Sequence, residues 1–456
     1  MKTIVRRLVA WSAAALILMM PLALASAAGQ DQAQDGAESA STLSQTADER
    51  PNQVLEWNQI FIDTLIATNT PNASSQRLGA IVHTAIFDAY NGIEHRYTPI
   101  YVQGSAPAGA SRRAAVIAAA YTALGSLFPS RQPALDASYA GSLAALNDDG
   151  EDGGESQERG IAWGTDVARA ILAWRYTDGF NGSYSAFSGG TAIGQWRPTP
   201  PAFGPMSAQA LAFTSPFVVM NTTQFPPDPP RGLLSTTYTD DFNAVKALGR
   251  KTGSIRTEDQ TALAPFWEGN ASVHWNQAAN QICTANHLSM SDSSRLFAVL
   301  NIAMADTAFT IWTAKRWYGA IPTEVTWRPV TAIPLAALDG NPDTTLDPDW
   351  LPLVTTPSHP EYPAGHPAQN GAAATVLLSR FPDAQTFTLT TRTSAGVDLP
   401  SRTYTSISAA RADGDNARVW GGMHYPSTVI ISDGVGEAIA NYVNLNAMQA
   451  VRGSQK

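Results

Sequence analysis

Three distant segments of the chain carry side chains that together could hold a small inorganic oxyanion. They contribute, in chain order, Lys315, Arg328, Gly365, His366, Arg418 and His424. Each negative oxygen of a tetrahedral or trigonal-bipyramidal anion needs a charge-assisted donor, and ammonium, guanidinium and imidazole groups supply such donors. Only 15% of the residues are charged, so this set seldom arises by chance. It predicts an anion site.

The stretch around His366 is predicted to contribute backbone donors to the anion site. Residues 357–367 contain four prolines, which favour an extended run, and the sequence after Gly365 has the apolar spacing of a helix. The Gly365–His366 pair therefore lies at a helix N-terminus, where free N–H groups and the positive end of the dipole attract an oxyanion. Two structural alternatives stay open, because His366 could act only as a cap and Lys315 only as a cation in a last helical turn.

The order of these motifs resembles a known superfamily. Lys followed by Arg-Pro, then Pro-x-Gly-His, then Arg followed six residues later by His is similar to the vanadium-dependent haloperoxidases and type 2 phosphatidic acid phosphatases. Further phrases resemble the bacterial haloperoxidase branch, and these are Glu56–Asn58, Gly194–Pro198, Phe266–Trp267 and Trp327–Ile333. The resemblance extends from about Leu55 to Tyr442.

The resemblance implies an all-α fold of two adjacent helical bundles, acid phosphatase/vanadium haloperoxidase-like, with vanadate as the cofactor. It implies that His424 binds the vanadium, that His366 is the acid–base group, and that Lys315 assists catalysis. The groups implied to hold the vanadate oxygens are Lys315, Arg328, Gly365 and Arg418. The implied reaction is the oxidation of a halide by hydrogen peroxide to hypohalous acid, with an organic acceptor as a further partner.

The chain departs from the family pattern in three places. Lys315 and Arg328 lie thirteen residues apart, which exceeds the usual spacing, so we expect an inserted loop at 319–324 to bulge outward and let both cations converge. Ala364 stands where the family has a serine, and one hydrogen bond to a charged group is worth about 1.5–3 kcal/mol. Thr428 stands where the family has an aspartate that orients the catalytic histidine. The sequence therefore leaves that histidine without the usual carboxylate.

Three residues are expected to shape the pocket and tune the halide, namely Trp312, His359 and Ala364. The resemblance implies a bulky aromatic residue at position 359 in chloride-oxidising relatives and a histidine in bromide-type relatives. His359 therefore favours bromide or iodide over chloride. Trp312 lies three residues before Lys315, on the same side of a helix, and is expected to cover the pocket.

Three alternatives to a haloperoxidase stay open. The first is a phosphatase in which His424 forms a phosphohistidine and His366 protonates the leaving group. The missing serine and aspartate count against it. The second is a non-catalytic secreted protein that binds an oxyanion. The third, a zinc site from His359 and His366, lacks thiolate or carboxylate partners at ligand spacing.

Composition and the N-terminus bound the cellular setting. A net charge of −9 argues against nucleic acid as a partner. Residues 1–28 have the basic start, apolar core and small-residue end of a signal peptide, and 29–52 are polar enough to predict a disordered leader. We expect a secreted or periplasmic protein with no membrane association after signal removal. The oligomeric state is open, with a homo-oligomer among the alternatives.

Apolar residues three and four positions apart predict helices through most of the remaining chain. Besides the helix after Gly365, the predicted helices are 55–67, 76–93, 112–128, 130–146, 155–175, 240–248, 257–267, 273–287, 292–318 and 429–448. We predict an N-terminal bundle at 53–235, including a long Gly/Pro-rich wrapping segment, and a C-terminal bundle at 236–450 that carries the pocket.

Overall fold

Helices dominate the computed structural model, which describes residues 52–146, 153–393 and 396–451. Within these residues the helices are α1 (Gln53–Ala67), α2 (Asn72–Glu94), α3 (Arg112–Leu127), α4 (Gln132–Ala144), α5 (Gly154–Tyr176), α6 (Thr236–Leu248), α7 (Glu258–Phe266), α8 (Ala271–Ala285), α9 (Met290–Ala320), α10 (Pro329–Ala332), α11 (Gly365–Leu378), α12 (Ile407–Trp420) and α13 (Pro426–Asn446). Strands β1 (Phe387–Leu389) and β2 (Arg402–Tyr404) form an antiparallel pair. The predicted all-α class is confirmed.

Every helix predicted from apolar spacing is present, with ends shifted by a few residues. The short helix α10, the helix α12 and the β1–β2 pair were not predicted from the sequence. The face that α12 buries consists of Ile407, Ala410, Gly414, Ala417, Arg418 and Val419. Few of these residues are large and apolar, and the segment as a whole is polar, which explains why the helix was not predicted.

Two predictions on the N-terminal region lie outside the described residues. They are the signal peptide at 1–28 and the leader at 29–52, apart from its last residue. Asn52 caps α1, because its side-chain oxygen accepts a hydrogen bond from the N–H of Val54 at 3.1 Å. The boundary between two bundles at residues 235 and 236 stays a prediction.

Helix α9 is the central element of the core. It has 31 residues and begins after Ser289, whose side chain accepts a hydrogen bond from the N–H of Asp292. By length and hydropathy Met290–Gly319 could cross a membrane, yet 94% of its most apolar window is buried within the protein. It packs against α2, α11 and α13. Burial on this scale indicates a core helix, and its C-terminal part carries Lys315.

Helices α11 and α13 lie in direct backbone contact. A methyl group added at Gly436 would overlap the carbonyl oxygen of Ala368, and one added at Gly371 would overlap the carbonyl oxygen of Asp433. Glycine is therefore required at both crossing points. Because α11 begins at Gly365 and α13 begins directly after the loop that carries His424, this contact positions two of the three predicted site segments.

Two buried aspartates anchor loops to the central helices in the same way. Asp88 on α2 accepts hydrogen bonds from the N–H groups of residues 100–102, at 2.8–2.9 Å. Asp306 on α9 accepts three from residues 217–219, at 2.7–3.0 Å. Burial raises the pKa of each carboxyl group to about 6. Each loop thereby satisfies its backbone donors without forming a helix or strand.

The wrapping segment between α5 and α6 contributes directly to the position of Arg328. The N–H groups of Thr326 and Trp327 both donate to the carbonyl oxygen of Gly194, at 2.8 and 2.9 Å. In return the hydroxyl of Thr326 accepts from the N–H of Trp196 at 3.0 Å. These bonds hold the extended residues that lead to Arg328.

Candidate oxyanion-binding site

Lys315 reaches the interior despite the long spacing to Arg328. Its side chain is fully buried, and Nζ donates to the carbonyl oxygens of Pro360 at 2.6 Å and Glu361 at 3.2 Å. Helix α9 continues to Ala320, a turn follows, and the chain returns in extended form to Arg328. Burial, and next the charge of Arg328, lower the pKa of Lys315 well below its usual value. The two cations therefore lie close together.

Arg328 joins the three segments that the sequence analysis singled out. Nε donates to the carbonyl oxygen of His359 at 3.0 Å, and Nη2 contacts Nδ1 of the same residue at 2.8 Å. Nη1 contacts the carbonyl oxygen of Met423 at 2.8 Å and Nε2 of His424 at 3.0 Å. A guanidinium has five N–H groups and no acceptor. Four of them are therefore directed at the protein, and one is left on Nη2.

His424 has a carboxylate partner that the sequence analysis missed. Nδ1 lies 2.9 Å from Oε1 of Glu361, and both side chains are buried. The sequence expectation of a missing carboxylate was wrong, because it looked for one only near position 428. Thr428 in fact donates through its hydroxyl to Oε2 of Glu361 at 3.1 Å. The available signal was Glu361 itself, the one acidic residue within the proline-rich stretch 357–367.

Arg418 and His366 meet at the turn that follows α7. Nη1 of Arg418 donates to the carbonyl oxygen of Trp267 at 3.3 Å, and Nη2 contacts the sulfur of Met423 at 3.2 Å. Nε2 of His366 lies 3.1 Å from the carbonyl oxygen of Gly269. Since a carbonyl only accepts, Nε2 carries the proton and Nδ1 keeps its lone pair. Burial, and next Arg418, lower the pKa of His366 well below its usual value.

The N-terminus of α11 presents backbone donors without a side-chain cap. Ala364 occupies the cap position and makes no side-chain hydrogen bond, while its own N–H donates to the hydroxyl of Ser432 at 2.7 Å. The N–H of Gly365 has no partner within the helix, as for any first helical residue. Trp312 packs beside this end, about 3.3 Å from where a Cβ on Gly365 would lie. That Trp312 covers the pocket stays a prediction.

The charge balance of the cluster suits a bound anion. Lys315, Arg328 and Arg418 are buried with Glu361 as the buried carboxylate among them. Burial lowers the pKa of Arg328 to about 9 and that of Arg418 to about 10, and burial raises the pKa of Glu361 to about 7. Nε of Arg418 is buried without a hydrogen-bond partner among the described residues. An oxyanion would satisfy this donor and offset the excess positive charge, so the residues present fit vanadate or phosphate.

Arg316 and the two histidines of the alternative zinc site have environments that can be described in the same way. The guanidinium of Arg316 lies 5.0 Å from the ring centroid of Phe213, so the residue beside Lys315 points to a different environment. His359 contacts Arg328 and His366 contacts the carbonyl oxygen of Gly269, so the two histidines of the alternative zinc site do not share a partner. Among the described residues no group of three His, Cys, Asp or Glu side chains is arranged to hold a metal cation.

Comparison with known proteins finds one matching family model and several solved structures of similar fold. Residues 295–453 match the family model described as the VCPO second helical-bundle domain. The fold is similar to the crystal structure of a bacterial vanadium-dependent iodoperoxidase, with a TM-score of 0.71 and 21% identity, covering 88% of this chain and 97% of that one. It is also similar to a holo-type bacterial vanadium-dependent chloroperoxidase, with a TM-score of 0.64 and 17% identity, covering 82% of this chain and 91% of that one.

No curated protein sequence matches the chain. The resemblance to bacterial vanadium haloperoxidases, predicted from short motifs, is confirmed by the domain match and by the shared fold.

Proposed function

We propose that this chain is a vanadate-dependent peroxidase that oxidises halide with hydrogen peroxide to hypohalous acid. The observation that carries the proposal is the cluster of three buried cations, Lys315, Arg328 and Arg418, with the imidazoles of His366 and His424. Glu361 is the buried carboxylate among them, and the partly buried Glu268 is the carboxylate that acts on Arg418. Such a cluster is costly to bury unless an anion completes it. Solved structures of similar fold include a bacterial vanadium-dependent iodoperoxidase and a bacterial vanadium-dependent chloroperoxidase.

The residues of the cluster differ in how many hydrogen-bond donors they have left for an anion. Arg418 has the largest number of unused donors, because only two of its five N–H groups contact the protein. Lys315 and Arg328 each retain one donor beyond the bonds described above. Nε2 of His424 is the atom that would bind the metal, after release from Arg328. Vanadate held there would act as a Lewis acid toward peroxide.

His366 is the group that moves protons. Its Nε2 donates to the carbonyl oxygen of Gly269, so Nδ1 carries the lone pair that accepts a proton from hydrogen peroxide. The bond from Nε2 to Gly269 holds the ring in one orientation. A general base needs both this fixed geometry and an available lone pair.

Bromide or iodide is the proposed halide. His359 accepts a hydrogen bond from Arg328 and its ring lies 5.4 Å from that of Trp312. The resemblance associates a histidine at this position with bromide-type relatives, and this supports the proposed preference. An organic acceptor has a cavity of about 400 Å³ nearby, lined by Glu268, Gly269 and Asn270 among others.

The decisive experiment loads metal-free protein with vanadate and measures peroxide-dependent oxidation of chloride, bromide and iodide in parallel. We expect activity with bromide and iodide that requires vanadate. His366→Ala should lower kcat by about 10²–10⁴-fold, the usual contribution of a general acid–base group. Absence of vanadate-dependent oxidation of every halide in folded protein would refute the proposal.

A matched pair of variants tests which cation of α9 takes part. Lys315→Ala removes the buried ammonium, whereas Arg316→Ala removes the neighbouring cation that stacks on Phe213. We expect Lys315→Ala to lower halide oxidation strongly and Arg316→Ala to leave it nearly unchanged. The reverse order would show that the wrong cation has been assigned.

A phosphatase is the second candidate, and one observation favours it. The Glu361–His424 pair provides the carboxylate that helps a histidine act as a nucleophile. Hydrolysis of phosphate esters by the vanadate-free protein, lost in His424→Ala, would support this candidate. Binding of phosphate or vanadate without either activity would instead support a non-catalytic oxyanion-binding protein.

A further inference from the structure

We propose that Glu361 is the positioning residue for His424, taking over from a different part of the chain the role of the carboxylate missing at position 428. The inference deepens the proposed function, since it concerns the same oxyanion site. It rests on the contacts of the two side chains and can be tested in protein without vanadate.

The tautomer of His424 is determined from both sides of its ring. Arg328 is a donor only, so its contact with Nε2 at 3.0 Å requires a lone pair on Nε2. The proton is therefore on Nδ1, which donates to Glu361 at 2.9 Å. This is the tautomer that an anion-binding or nucleophilic Nε2 requires. Glu361 holds it in place before any anion arrives.

Glu361 is itself held in a single orientation. Its Oε1 accepts a second hydrogen bond, from the N–H of Tyr425 at 3.1 Å, and its Oε2 accepts one from the hydroxyl of Thr428. Its backbone carbonyl accepts from Lys315. Both carboxylate oxygens and the main chain are thus fixed, as expected of a group that orients another.

The position of Thr428 explains why the carboxylate that orients His424 can come from residue 361 instead of residue 428. Its hydroxyl lies 3.1 Å from Oε2 of Glu361, so a carboxylate at position 428 would enter the space that Glu361 now fills. Two carboxylates could not both occupy this buried site without strong repulsion. A chain with glutamate at 361 therefore has a physical reason to carry a neutral residue at 428.

The first test measures the tautomer of His424 by ¹⁵N NMR in metal-free protein. Glu361→Gln keeps the volume of the side chain but removes its charge, whereas Glu361→Met keeps the volume and removes the acceptor as well. We expect a measurable loss of the Nδ1–H population that is larger in Glu361→Met than in Glu361→Gln. Phosphate affinity, measured by calorimetry, should fall by roughly 10–100-fold, as for other groups that orient a ligating histidine. Unchanged ¹⁵N shifts together with unchanged affinity would overturn the proposal.

The second test moves the carboxylate. In the double variant Glu361→Ala/Thr428→Asp, which vacates the space that glutamine would still fill, we expect the Nδ1–H tautomer to return and most of the lost phosphate affinity to be recovered. Thr428→Asp alone should weaken binding, because two acids then share one buried space. If the folded double variant binds no better than Glu361→Ala, the assigned role is wrong.

A control separates this role from general stability. Glu437→Gln removes a glutamate that pairs with Arg411 at 2.7 Å outside the site, and we expect it to leave the His424 tautomer and phosphate affinity unchanged. The NMR and calorimetry use no halide or peroxide. If the protein oxidised no halide while the tautomer still followed the carboxylate, the proposed function would fail and the role of Glu361 would stand.

Discussion

At the scale of single residues, most side chains of the site could be predicted from short sequence motifs, whereas Glu361 could not. Lys315, Arg328, Arg418 and the two histidines lie in recognisable short motifs, and the structure brings the three segments together. Glu361 could not be assigned in this way. Its role depends on a contact with a residue 63 positions away, and such a contact follows from the packing of α11 against α13.

Ala364 offers a test at this scale. Restoring a hydroxyl with Ala364→Ser would add a donor at the N-terminus of α11, where Gly365 already presents its N–H. A hydrogen bond to a charged group is worth about 1.5–3 kcal/mol, so phosphate and vanadate should bind about ten-fold tighter or more. Calorimetric titration measures this, with Ala364→Cys as a control of similar size and weaker hydrogen bonding. Equal affinity for the serine and cysteine variants would contradict the expected contact.

At the scale of elements, apolar periodicity predicted the long helices well and short or small-residue elements poorly. Helix α9 has a continuous buried face, so its existence and approximate length were evident. The strands β1 and β2 have three residues each, which is too short for an alternating pattern to be recognised. The path from α9 to Arg328 was also beyond prediction, since it depends on hydrogen bonds to Gly194.

Asp306 provides a test at the scale of elements. Asp306→Asn keeps the shape but places an amide donor among the three N–H groups of residues 217–219. We expect the free energy of unfolding to fall by about 1–3 kcal/mol for each buried donor left unpaired. Denaturant titration measures the stability, and hydrogen exchange locates the loosened loop. Asp240→Asn, at an exposed position, should change neither; a similar loss in both variants would rule out the loop-anchoring role.

At the scale of the whole molecule, buried neutral histidines link stability to pH. His83 is enclosed between the rings of Phe61 and Phe297, and His274 lies against Phe266 and Trp267. Burial lowers the pKa of each from 6.5 to about 3. Below pH 6.5 the unfolded chain therefore binds protons that the folded chain does not. Their contribution to stability is complete above pH 6.5 and is lost as the pH falls toward 3.

The expected measurement is the free energy of unfolding across this range. Between pH 6.5 and 3 each histidine contributes about 1.4 kcal/mol per pH unit to the slope of this free energy against pH. Asp88 and Asp306, whose pKa values are raised to about 6, contribute with the opposite sign below pH 6, so the share of a histidine is measured from the difference between variants. His83→Phe should reduce the slope by the share of one histidine, whereas the exposed-site variant His287→Gln should not. A slope in His83→Phe equal to that of the unaltered protein would show that His83 is protonated in the folded state.

The backbone contact between α11 and α13 also has a consequence for selectivity. His366 lies in the first turn of α11 and His424 lies two residues before α13, so the main-chain contacts at Gly371 and Gly436 restrict how far the two histidine segments can move relative to each other. Main-chain contacts of this kind are nearly incompressible. Substitutions of residues at the opening can therefore change which molecules enter the site. We expect the distance between the imidazoles of His366 and His424 to depend instead on the packing of α11 against α13.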